Sequence, residues 1–114
     1  MIEEKILKHL RDVLTVPVYM EKPECETDEY VIFENTGGSE SNHIRIATIA
    51  VRSIAKKMYR AAKLGEDAKN AMETLIEDPY ISACRVNTTP MNNTNTTTKQ
   101  YRYQGVYIVT YMDD

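Results

Sequence analysis

Two histidines, His9 and His43, and two cysteines, Cys25 and Cys84, are all that the chain has of either type, and their scarcity removes most reaction chemistry at the outset. A zinc site is built from close pairs such as Cys-x-x-Cys or His-x-x-x-His, and none of these four residues has a partner at that spacing. A serine nucleophile needs a base and an orienting acid; Ser39, Ser41, Ser53 and Ser82 stand in no motif that supplies them. Gly37-Gly38 opens no Gly-x-Gly-x-x-Gly or Gly-Lys-Ser/Thr arrangement and reads as a turn. The carboxylates Glu21, Glu24, Glu26, Asp28 and Glu29 lack the alternating oxygen ligands and central glycine of a calcium loop, so they read as a solvated acidic loop. Catalysis, a cofactor and a bound metal are therefore not expected.

The chain also lacks an apolar run near the roughly 18 residues that a membrane span requires. Its first residues, Met1-Ile2-Glu3-Glu4-Lys5, do not have the basic-then-apolar order of a signal peptide. An intracellular protein with free thiols at Cys25 and Cys84 is the expectation. The matches to the glycosylation pattern at Asn87, Asn92 and Asn95 then carry no meaning. A net charge of -3 gives no global reason to bind nucleic acid, and no sequence-specific nucleic-acid or membrane partner is expected.

What the sequence does hold is patterning for one α+β domain over residues 1–114, long enough to bury roughly two-thirds of its unfolded surface. Ile2, Ile6, Leu10, Val13 and Leu14 make a helical stripe over 2–14, with acids in its first turn and bases toward its end, as the macrodipole favours. Pro17 places the short extended segment 15–19 at a sheet edge or strand start. Residues 29–35 and 42–52 are rich in β-branched side chains and should pair as a hairpin across the Gly37-Gly38 turn. Ser53 is placed to cap a second helix, striped by Met58, Ala61, Ala62, Ala68, Ala71, Met72, Leu75 and Ile76 and stopped at Asp78-Pro79. Gly65 costs that helix about 1 kcal/mol relative to alanine.

Residues 81–88 and 100–112 should form a terminal hairpin around a polar loop, 88–99. The order is helix, strand, strand, strand, helix, strand, strand, giving a mostly antiparallel sheet of four to five strands with both helices on one face. In the last strand Tyr101, Tyr103, Tyr107, Val109 and Tyr111 share one side and Val106, Ile108 and Met112 the other, so one partly apolar face stays uncovered. The second helix carries Lys56, Lys57, Arg60 and Lys63 before Glu66, Asp67, Glu73, Glu77 and Asp78, opposite to the macrodipole. Three explanations stand open: solvated charges, a basic half facing an acidic neighbour in a head-to-tail ring, or contact with nucleic acid.

Val16-Pro17-Val18-Tyr19, Tyr30-Val31-Ile32-Phe33-Glu34, the strand 44–52, the Ala-rich helix and Tyr101-Arg102-Tyr103-Gln104-Gly105-Val106-Tyr107 together resemble the tail-terminator and tail-completion (head–tail joining) proteins of long-tailed bacteriophages and prophages. The resemblance implies a small non-catalytic α+β subunit that forms a ring, commonly a hexamer, capping the tail tube and joining it to the head. Its partners would be further copies of itself, the tail tube protein and head-connector proteins, first in the host bacterial cytoplasm and then in the virion. Interface residues are then expected among Lys56, Lys57, Arg60, Lys63, Glu73, Glu77, Tyr101 and Tyr103. The polar loop, with Asn92, Asn93, Asn95 and Lys99, is expected to be mobile in the free subunit and ordered on assembly; its length departs from the family. Another neck or tail structural protein is the nearer alternative, and a small ligand-binding or regulatory domain using the acidic loop and the sheet is the more distant one.

Overall fold

Amphipathic stripes of period 3.6 and β-branched runs of period 2 set the elements of the computed structural model, which describes residues 1–23, 28–94 and 100–112. Helix α1 (Ile2–Val13) buries Ile2, Ile6 and Leu10, with Glu3 and Glu4 in its first turn and Arg11 in its last. The Arg11 guanidinium donates from Nε and Nη2 to the Val18 carbonyl at 3.2 and 3.1 Å. It thereby ties the helix end to the two-residue edge strand β1 (Val18–Tyr19), which pairs in parallel with β2 (Tyr30–Ser41). Strand β3 (Ile44–Ala55), helix α2 (Met58–Glu73), a 3-10 turn (Thr74–Glu77), β4 (Ile81–Asn92) and β5 (Tyr101–Met112) follow. The sheet order is β1-β2-β3-β5-β4, antiparallel apart from the β1–β2 pair.

The chain is an α+β protein in the expected element order. Helix α2 lies on β3, β4 and β5, and α1 packs on α2 and β1. One sheet face thus meets the helices: Phe33, Ile49, Val51, Tyr107 and Val109 join Ile6, Leu10, Leu64, Ala68, Met72 and Leu75 in one core. Gly65 marks a close approach of α2 to the sheet, since a Cβ there would lie 3.2 Å from Pro90 Cβ and 3.3 Å from Tyr103 Cβ. The glycine that weakens the helix is what lets it sit down on β4 and β5. The molecule is elongated, 45 × 24 × 23 Å.

Four expectations are corrected. Gly37-Gly38 is not a turn: β2 runs through both residues with a bulge between Asn35 and Gly37, and the hairpin turns at Asn42-His43. Both turn residues have positive φ, 52° and 68°, as a twist-compatible two-residue hairpin turn demands. Glycine at 38 answers a different need, because a Cβ would fall 2.1 Å from the Ile46 carbonyl oxygen across the ladder. Second, β3 begins at Ile44 and continues to Ala55, so it starts and ends later than 42–52. Third, Ser53 caps no helix; it lies inside β3, buried, and α2 starts five residues on with Lys57 at its N-cap and no side-chain cap. Fourth, the long loop is shorter than expected, since β4 continues through Thr88, Thr89, Pro90 and Met91 to Asn92. Threonine favours strands, and an edge strand tolerates a proline that has no N–H to give. Of the four loop residues singled out, Asn92 ends β4 and Asn93 follows it, while Asn95 and Lys99 lie outside the described residues, as does Cys25.

Candidate interaction surface

The sheet face opposite the helices is covered by no element over most of its length. Register places Ile44, Ile46, Thr48 and Ala50 of β3 beside Met112, Thr110, Ile108 and Val106 of β5 on that face, with Gly37, Ser39 and Ser41 of β2 alongside. Ile44, Ile46 and Met112 are 47%, 39% and 55% exposed. Scattered exposed apolar residues are ordinary, but these neighbour one another on adjacent strands and form an exposed apolar patch.

Nearer the C-terminal end of β3 the face becomes polar and pre-ordered. Arg52 Nη2 reaches Glu34 Oε1 at 2.5 Å, and its Nε donates to Gln104 Oε1 at 2.8 Å. The same Gln104 oxygen accepts from Asn93 Nδ2 at 3.2 Å, and Arg102 Nε donates to the Asn93 carbonyl at 3.0 Å. Strands β2, β3 and β5 and the residue following β4 are thereby linked in one chain of hydrogen bonds. Residues 20–22, after β1, flank this end, leaving a cleft of about 400 Å³ between them and Tyr30, Ile32, Glu34, Arg52, Ile54, Gln100 and Arg102. The Tyr19 ring meets Tyr30 edge-on at 6.1 Å and helps bury it.

The residues singled out on α2 are not brought together. Lys56 pairs with Asp28 at 2.9 Å and Arg60 with Glu29 at 2.8 Å, so the two residues just before β2 neutralise two of the four bases. The Arg60 hydrogen bond holds the Glu29 carboxyl below its ordinary value. Lys57 and Lys63 are exposed and have no carboxylate partner among the described residues. Glu73 pairs with Lys69 one turn away, and Glu77 stands in the 3-10 turn. Tyr101 and Tyr103 lie on the helix-facing side, half-buried, in register with Ala55 and Ser53. Sequence reasoning missed the Glu34–Arg52–Gln104–Asn93–Arg102 chain, because its members meet only once the register is known.

Burial pushes the Cys84 thiol up to about 11, which keeps it protonated near neutral pH. Burial likewise raises the Tyr107 phenol. His9 Nε2 lies 2.9 Å from the Ala71 carbonyl and 2.8 Å from Thr74 Oγ1, joining α1 to the end of α2. Among the described residues no three His, Cys, Asp or Glu side chains are grouped to hold a metal ion, and no helix is long and apolar enough to cross a membrane. No protein-family model matches the chain, and no curated protein matches it in sequence.

Proposed function

We propose that the chain is a structural assembly subunit of a long-tailed bacteriophage or prophage, closing with further copies into a ring, hexameric as is common in the proteins it resembles, that terminates the tail tube and joins tail to head. The open sheet face is the observation that carries this reading. Its four long strands have 12 residues each. At ~3.3 Å per residue and ~4.8 Å between strands they offer a footprint of roughly 750 Å². A specific interface of standard size uses about 800 Å² per partner. That face is therefore large enough for a stable contact, and its apolar part gives copies a reason to associate.

Lys57 and Lys63, exposed and without a carboxylate partner among the described residues, favour a neighbour that presents acids, and the acidic half of α2 on another copy would do so in a head-to-tail ring. Light scattering over a concentration series, with and without the tail tube protein of the same particle, tests the reading. The expected result is a discrete multiple of the subunit mass, at least on the tube template. A strictly monomeric mass in both conditions would overturn it.

A further inference from the structure

Helix α2 carries an exposed aromatic side chain near its start and, together with α1, an apolar groove farther along. Tyr59 is 75% exposed, more than any other large apolar or aromatic side chain among the described residues, and Met58 is exposed beside it. The last residues of α1 and the middle of α2 leave a groove of about 320 Å³ between them. Its floor and walls are apolar, made by Val13, Leu14, Leu64 and Ala71, and its rim carries Asp67 and Asn70. That volume is at the small end of ligand pockets, the size for one side chain rather than for a strand or a helix. A copy cannot fill its own groove. At ~1.5 Å and ~100° per residue, Tyr59 stands roughly 16 Å along α2 from Asn70 and roughly 140° around the helix from Leu64. Charge follows the same order. Lys57 and Lys63 flank the tyrosine, Glu66 and Asp67 flank the groove, and all four are exposed with no opposite charge at ion-pair distance among the described residues. The unpaired charge of α2 is therefore positive where the tyrosine projects and negative where the groove opens.

From this geometry we infer that a second copy of the chain occupies the groove: Tyr59 of one copy enters the α1–α2 groove of the next, and Lys57 and Lys63 meet Glu66 and Asp67 there. A tyrosine buries a large apolar ring and keeps a polar tip, for which the amide of Asn70 on the rim is a partner. Tyrosine is also among the side chains that dominate interface energies when they fill a pocket. The opposed charges steer the approach and fix which end of α2 meets which. Tyrosine and groove are different surfaces, so the contact repeats head to tail and can close into a ring, whereas a two-fold pair would have to match one surface to itself. The inference rests on the assembly proposed above and gives it a contact on the helix side of the sheet, additional to that of the open face.

The test puts the photoreactive p-benzoylphenylalanine in place of Tyr59 in the full chain. Isotope-labelled and unlabelled copies are mixed, irradiated with the tail tube protein present, and the linked peptides mapped by mass spectrometry. The expected product joins position 59 of one isotope to residues 13–15 or 64–74 of the other. Tyr59→Ala should raise the concentration of half-assembly, read by light scattering, by at least about tenfold with an unchanged melting temperature. Should that variant unfold, the cross-link map decides alone. Links confined to single chains, links between copies centred elsewhere, or a folded Tyr59→Ala that assembles like the unaltered chain would each overturn the inference and leave the ring reading standing. An unaltered chain that stays monomeric with and without the tube protein would overturn both.

Discussion

Replacing Ser53 with alanine should stabilise the protein. Its side chain is 1% exposed on the helix-facing side of β3, between Val31 of β2 and Tyr103 of β5. Its Oγ has no hydrogen-bond partner among the described residues. Burying a hydroxyl without a partner costs about 1–3 kcal/mol by mutational measures. Removing the oxygen leaves a void smaller than a methyl group, which costs less than about 1 kcal/mol. The difference is a net gain of about 1 kcal/mol, or roughly 4 °C in melting temperature for a domain of this length. Urea unfolding should give a higher midpoint at unchanged slope, which separates native-state stabilisation from a change in the denatured chain. A less stable Ser53→Ala would mean that the hydroxyl is satisfied, and the packing assigned to this part of the core would be wrong.

Other outcomes follow from the same structure. Gly65→Leu should lose about 1–3 kcal/mol by forcing α2 off Pro90 and Tyr103, measured by urea unfolding; an unchanged midpoint would refute the close approach. Gly38→Val should shift amide resonances along the β2–β3 hairpin and lower the melting temperature, because its Cβ would meet the Ile46 carbonyl oxygen. The Tyr80 N–H, which donates to Asp78 Oδ1 at 2.9 Å, and after it the Lys5 ammonium hold the Asp78 carboxyl below its ordinary value. A depressed carboxyl stabilises the fold above its unfolded pKa and loses that contribution as pH falls through its folded value, so Asp78→Asn should flatten the stability decline below about pH 4. An acid limb as steep as that of the unaltered protein would refute this. Lys57→Glu with Lys63→Glu should impair assembly at low salt while leaving the melting temperature nearly unchanged, whereas reversal at Lys56 and Arg60 would also break the pairs with Asp28 and Glu29.

The β-branched content of 44–52 and the proline at 17 made the strands and the sheet edge at β1 legible, because those preferences are local; that β1 pairs in parallel was not legible. Gly37-Gly38 misled because a glycine pair most often marks a turn, whereas its role here is set by the carbonyl of Ile46 across the ladder. Ser53 misled in the same way: a serine before a helical stripe reads as a cap, and only its burial between two strands places it inside β3. The polar run after residue 88 read as loop because threonine and asparagine are common there, while pairing with β5 extends it as an edge strand. The uncovered face was legible from alternation in β5 alone. The arginine cleft was not, since Glu34, Arg52, Asn93 and Arg102 are distant in sequence and meet only through register.

The most direct test of the central claim, that the open sheet face joins copies of the subunit, is the mass in solution of an Ile46→Asp, Ile108→Asp variant beside the unaltered chain, each with and without the tail tube protein. Both substitutions fall on the open face and outside the core shared with the helices, so the variant should keep its circular dichroism and melt cooperatively. The account predicts a monomeric variant under conditions in which the unaltered chain forms a discrete ring. A folded variant that still assembles with the mass of the unaltered protein would contradict it.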